Sequence, residues 1–264
     1  MRSASPPEGR IARNLIEKVV NEAKRRRVVD VRIGLSYTAV ILDDGAAGVA
    51  LTLREASEYC CHHRLDPMPL AGRGAEEFIE KLQSDSPIDA AVGLACINAL
   101  LNRPRPEQVA GDIMEQLSLG PDDQVGMVGN FQPIVKRIKP TGAKLHIFER
   151  IEAPSGNLLP AEDAKRVLPD CSVALITATT LINHTLDDLI EAASPCREVV
   201  LLGASTPLCP EAFRQTAVTM ISGVTIPDPK PVLQIISEGG GMHVFKHHVN
   251  KVNIPLSDRG EQIP

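Results

Sequence analysis

Gln124-Val125-Gly126-Met127-Val128-Gly129-Asn130-Phe131 decides the fold. A short apolar run ends in glycine and polar residues, and residues 131–139 then take up helical spacing. The same rhythm repeats downstream. Apolar runs at 144–149, 172–177, 198–203 and 218–225 are followed by helical patterns at 161–167, 185–193, 210–215 and 229–237. Strands that are apolar without alternation are buried on both faces, as in a parallel sheet covered by helices. A Rossmann-like α/β domain is predicted from about Pro106 onward. The alternation in Val244-Phe245 and in Val249-Asn250-Lys251-Val252 predicts a further strand near the C-terminus.

Upstream of this region, Arg103-Pro104-Arg105-Pro106 cannot continue a helix, which places a boundary there. The expected division is 1–104 and 105–264. In the first part, Ile11, Leu15, Val19 and Val20 mark one face of a helix over 11–27. Residues 31–41 alternate as one strand, Asp43-Asp44-Gly45 is a turn, and 48–53 returns as a second strand. Helices are expected at 54–64, 75–83 and 87–102, giving a small α+β unit.

Composition narrows the function classes. The chain has 264 residues, 43% hydrophobic and 23% charged, as expected of a globular protein. It has no Trp and only 3% aromatic residues, which argues against a stacking platform for single-stranded nucleic acid. Acidic residues outnumber basic ones, 33 to 28, so a duplex-binding role is disfavoured. No apolar run is long enough for a membrane span. Six cysteines and an N-terminus without an apolar core suggest reduced thiols in a cytoplasm. A homodimer is expected only as the commonest arrangement.

In an open parallel sheet, ligands bind beyond the carboxyl ends of the strands. Those ends carry Gly129, Asn130 and Phe131; then Glu149; then Thr177, Thr179 and Thr180 with Asn183; then Gly203, Ser205 and Thr206; and finally Asp228. Glu149 lies 20 residues after Gly129, the spacing at which a dinucleotide fold places its ribose-binding acid. The full G-x-G-x-x-G fingerprint is missing, and a tight turn packing helix on strand accounts for these glycines equally well. A phosphate-loop lysine and a G-x-S-x-G elbow are also missing.

Metal ligands are sparse. Cys60-Cys61-His62-His63 is dense in soft and borderline donors, but neighbours on a helix point about 100° apart. At most two can share an ion, Cys60 with His63. His243, His247 and His248 form a second group, which a strand would scatter; surface or core positions are the plainer reading.

Six segments together carry a family resemblance. They are Ala91-Val-Gly-Leu-Ala-Cys-Ile-Asn98-Ala-Leu-Leu-Asn102, Val125 to Phe131, Leu158-Leu159-Pro160-Ala161, Leu168-Pro169-Asp170-Cys171, Gly203-Ala-Ser-Thr206-Pro207-Leu208 and Ser222-Gly223. Their order along the chain resembles the heavy-metal chelation domain family. The resemblance implies an N-terminal domain similar to that of enolase, packed on a Rossmann-like domain, with the active site in the cleft between them. By position, the resemblance puts Asn98, Gly129, Phe131, Glu149, Thr177, Thr180, Asn183, Gly203, Thr206 and Asp228 at that cleft. Tyr37 and Thr38 are candidates for its far wall.

The expected function is handling of a heavy metal or metal chelate, or of another small ligand, with Glu149 and Asp228 supplying oxygen ligands or bases. A divalent heavy metal or its chelate is the expected cofactor or cargo. The alternative is an enzyme using a nucleotide or an S-adenosylmethionine-type cofactor in the same crevice.

Overall fold

The computed structural model describes residues 9–53, 69–151 and 155–256. Helix α1 spans Arg10–Ala23 and buries Ile11, Leu15, Ile16 and Val19, one stripe at helical spacing. Three antiparallel strands follow: β1 Val28–Ile33, β2 Tyr37–Leu42 and β3 Ala47–Leu51. The single strand expected over 31–41 is therefore two. The chain reverses at Gly34-Leu35-Ser36, where the Gly34 N–H donates to the Tyr37 carbonyl at 2.9 Å. Apolar residues occupy the odd positions from Val31 to Ile41 in the sequence, so periodicity ran straight through the turn, although β2 is buried at every position from Thr38 to Leu42. The helix expected at 54–64 lies outside the described residues.

Helix α2, Glu76–Ile79, continues as a 3-10 turn over Glu80–Gln83. Helix α3, Pro87–Leu101, begins where the Ser86 hydroxyl accepts from the Asp89 N–H, with proline in the first turn. Every residue from Ala90 to Leu101 is buried. A helix apolar all round has to be enclosed, and α3 lies flat on β2 and β3. Gly48 permits the contact: a β-carbon there would sit 2.2 Å from the Ala99 nitrogen.

Beyond Pro104 come β4 Val109–Ala110, β5 Gln124–Val128, α4 Gln132–Ile138, β6 Lys144–Glu149, β7 Leu158–Pro160, α5 Ala164–Val167 and β8 Val173–Thr177. Then follow α6 Leu186–Ala192, β9 Glu198–Leu202, β10 Met220–Thr225, α7 Pro229–Ser237, α8 Met242–Phe245 and β11 Asn250–Pro255. The eight strands form one sheet in the order β4-β11-β10-β9-β8-β5-β6-β7. From β10 through β7 all neighbours are parallel; β11 and β4 add an antiparallel edge. The protein is thus mixed α/β, with this sheet and a separate small antiparallel one.

Two details depart from the sequence expectations. The stretch 243–248 is helical, α8 followed by a 3-10 turn at Lys246–His248, and the strand begins only at Asn250. Phe245 and Val249 are both buried four residues apart, a spacing that a short alternating run cannot distinguish from a strand. The expected helix at 210–215 is a single 3-10 turn, Pro210–Phe213.

The two halves interlock. One face of the small sheet packs on α3, while Ala39 and Val49 on the other face share a core with Val232, Ile236 and Phe245 from α7 and α8.

Candidate functional site

Strand order reverses between β5 and β8: the chain leaves β5 for β6 on one side and later returns to β8 on the other. Loops from adjacent strands diverge at such a point and open a crevice at the carboxyl ends. A cavity of about 490 Å³ lies there. Gly129, Asn130 and Phe131 after β5, Glu149 and Arg150 at the end of β6, and Thr177, Thr179, Thr180 and Asn183 at the end of β8 line it. Gly203, Ala204 and Ser205 after β9 complete the strand-end wall. Tyr37, Leu51 and Leu53 close the opposite side from the small sheet.

Glycine is required at the two tightest turns. Gly129 has φ +90° and its missing β-carbon would meet the Thr177 methyl at 3.2 Å, while Gly203 has φ +115°. Glu149 is half-buried, and both its oxygens are oriented by backbone. Oε2 accepts from the Asn130 N–H at 3.2 Å and Oε1 from the Arg150 N–H at 2.9 Å. The carboxylate is thereby fixed at the rim of the crevice. Burial pushes the Tyr37 hydroxyl up to about 12, so it stays a neutral donor near neutral pH.

Several expected ligand donors are occupied by the protein itself. The Thr180 hydroxyl donates to the Thr177 carbonyl at 2.6 Å, and the Thr177 and Thr179 hydroxyls bond each other at 3.0 Å. Asn183 Oδ1 accepts from the Thr185 hydroxyl at 2.7 Å. Ser205 Oγ accepts from the Leu51 N–H at 2.9 Å, tying the larger sheet's loop to the smaller sheet.

Asn98 and Thr206 are fully buried and do not line the cavity. They lie in the packing layer between the two halves: Asn98 Nδ2 donates to the carbonyls of Val49 and Ser205 at 2.9 and 3.0 Å. Asn102, one turn further along α3, donates to the carbonyls of Thr206 and Val224 and accepts from the Leu208 N–H. Thr38 is likewise buried, bonded to the Thr52 hydroxyl. Asp228 is not brought to the cleft either. It is exposed and caps α7, accepting from the Lys230 N–H at 3.1 Å. Its pairing with Glu149 as a second oxygen ligand is not observed.

Cys60 and His63 fall outside the described residues. His243, His247 and His248 are exposed. Among the described residues no three His, Cys, Asp or Glu side chains are grouped to hold an ion. Sequence reasoning missed Arg150, Glu162 and Lys165, which also line the crevice. Arg150 directly follows a strand end and was findable. Glu162 and Lys165 arrive through β7, a strand too short to announce itself.

Models built from known families decide the affiliation. One described as "Putative heavy-metal chelation" matches residues 112–255, and a second with the same description matches 16–101. The chain belongs to this heavy-metal chelation family. The two matched segments flank the Arg103–Pro106 stretch and between them contain every wall of the crevice. Among similar proteins is an uncharacterized protein of Methanocaldococcus jannaschii, 29% identical over 229 residues, spanning 83% of this chain and 86% of that one. Two crystal structures of family members, both proteins of unknown function, share the fold. The Pyrococcus horikoshii protein has a TM-score of 0.80 at 24% identity, covering 93% of this chain and 99% of its own. The Desulfitobacterium hafniense protein has a TM-score of 0.76 at 22% identity, covering 93% and 97%. No helix among the described residues is long and apolar enough to cross a membrane.

Proposed function

We propose that the crevice holds a small, oxygen-rich ligand, and that within the family's metal-linked role this ligand is a metal chelate rather than a bare ion. The observation that carries this reading is Glu149: a backbone-braced carboxylate on the wall of a cavity at the strand-order reversal. A single carboxylate makes a poor site for a bare divalent ion, which takes four or more donors. An ion whose remaining positions are filled by an organic chelator needs only one protein ligand and a shaped pocket. Arg150 at the lining complements the carboxylates of such a chelator, while Lys165 beside it is paired with Asp188. The large sheet is read as the Rossmann-like part and the small sheet as the enolase-like part, with the ligand between them.

A second reading rests on a different feature. Gly129 closes β5 and Glu149 closes β6, the relative placement at which a nucleotide-binding sheet offers a glycine turn and a ribose acceptor. An enzyme using a nucleotide or an S-adenosylmethionine-type cofactor would use the same crevice.

Thermal unfolding of metal-stripped protein separates the two. Nickel, cobalt, zinc and copper are added alone, with citrate or histidine, and against a panel of ATP, NAD and S-adenosylmethionine. A ligand at about 100 times its Kd stabilises by about 2.7 kcal/mol, well within detection. The chelate reading expects stabilisation by a metal–chelator pair, lost in Glu149→Gln. Stabilisation by a nucleotide alone overturns it in favour of the cofactor enzyme.

A further inference from the structure

A second cavity, of about 440 Å³, adjoins the crevice and has a different chemistry. Its origin lies in the winding of the sheet. The β5-to-β6 crossover puts α4 on one face, where Ile134 and Ile138 pack on Val125 and Met127. The β8-to-β9 and β9-to-β10 crossovers run on the opposite face, where α6 and Phe213 pack on Ile176 and Leu201. Right-handed crossovers on either side of a strand-order reversal have to separate in this way. On the α4 side, the ends of β9 and β10 therefore have no crossover helix. Leu202, Ser222 and Val224 there form the floor of a cavity walled by Phe131 and Ile134 on one flank and Met242 of α8 on the other.

The rim is cationic. Lys246 and Lys251 both line the cavity, and Lys246 has no ion-pair partner among the described residues. The rim acid, Asp112, is already shared by two cations, Lys251 and Arg137, each at 3.0 Å. Among the lining residues Lys246 is left as the uncompensated charge at this mouth, on a chain whose net charge is −5. Apolar walls that include two aromatic rings, with Lys246 at the rim, complement an organic anion with a flat apolar body.

We propose that this cavity is a binding site for such a molecule: a planar, largely apolar body against Phe131, Leu202 and Met242, with a carboxylate, sulfonate or phosphate at Lys246. Phe131 and Tyr37 line both cavities, so the two sites communicate, but this site depends on none of the chemistry proposed for the crevice.

The probe is 8-anilinonaphthalene-1-sulfonate, titrated into the whole chain and followed by fluorescence. Saturable, blue-shifted binding of one molecule per chain is expected. Lys246→Glu, on an exposed helix end, should weaken it about fivefold or more, the order of one ion pair lost and a repulsion gained. Salt raised to about 0.5 M should weaken it in the wild type alone. Ser222→Phe, which fills the floor, should abolish it, and Glu149→Gln should leave it unchanged. If Ser222→Phe fails to fold, Lys246→Glu decides the matter alone. The proposal is overturned if no saturable binding occurs, if binding is indifferent to Lys246→Glu, or if it is lost in Glu149→Gln, which would put the probe in the crevice.

Discussion

The amide of Asn98 donates to the carbonyl of Ser205, 107 positions away, across the junction of the two halves of the protein. The same amide also reaches Val49, so one side chain on α3 holds the last strand of the small sheet and the loop that walls the crevice. Asn102 repeats the arrangement one helical turn later. The crevice is therefore braced from beneath by side chains that never touch its contents.

Asn98→Ala should cost about 2 kcal/mol, because it leaves two buried carbonyls without this donor. The loss is partly offset, since Asn98 Oδ1 is itself buried without a partner. Urea denaturation measures it directly. A variant as stable as the wild type would show that the brace contributes nothing.

Two glycines of the β2–β3 hairpin should respond to alanine by very different amounts. At Gly48 a β-carbon would fall 2.2 Å from the Ala99 nitrogen, so helix and strand have to separate. Gly48→Ala should cost more than about 3 kcal/mol or prevent folding. At Gly45 the space is open and only the φ of +84° opposes a side chain, so about 1 kcal/mol is expected. Paired melting curves test the contrast.

Acid sensitivity should report Asp123. Burial tends to raise its pKa, but the Gly120 N–H, the Ser172 hydroxyl and the Arg197 guanidinium prevail and hold it below the ordinary carboxylate value. A carboxylate depressed in the folded state stabilises fully above its unfolded pKa, near 4, and progressively less as pH falls through the folded value. Asp123→Asn should therefore unfold at a lower temperature than wild type at pH 6, with the difference shrinking below about pH 4. A difference that is constant with pH would mean the ion pair with Arg197 is not its source.

Cys96 should resist alkylation. It is fully buried on α3, and burial pushes its thiol up to about 12, so almost no thiolate exists at pH 8. Iodoacetamide followed by peptide mass spectrometry should label it only in denaturant. Labelling under native conditions would mean that α3 opens locally.

The strands β5, β6, β8, β9 and β10 were legible because they are short, apolar and followed by helical patterns, a sign of burial on both faces, whereas the two- and three-residue β4 and β7 were not. The glycines and Glu149 of the crevice were legible for a related reason: strand ends can be located once strands are. What escaped was tertiary. Periodicity gave no hint that residues 31–41 fold back at Gly34, since every odd position from Val31 to Ile41 is apolar straight through the turn. Asn98 and Thr206 read as ligand donors from their positions, but their surroundings, set by residues about a hundred positions away, make them packing groups. Asp228 shows the same limit. A carboxylate after a strand and before a proline is as much a helix cap as a ligand, and here the helix takes it.

The packing of α7 on β1 and β2 also bears on how the chain acquires its fold during synthesis. Residues 37–51 emerge with one apolar face open, and the helix that covers it is not complete until Ser237 has left the ribosome. Ala39 and Val49 therefore stay uncovered while the residues up to α7 are made, and a nascent chain halted before α7 presents a sticky edge to its neighbours. Truncation at the proline-rich stretch should yield an aggregating fragment, because the small sheet is finished by a helix made long after it.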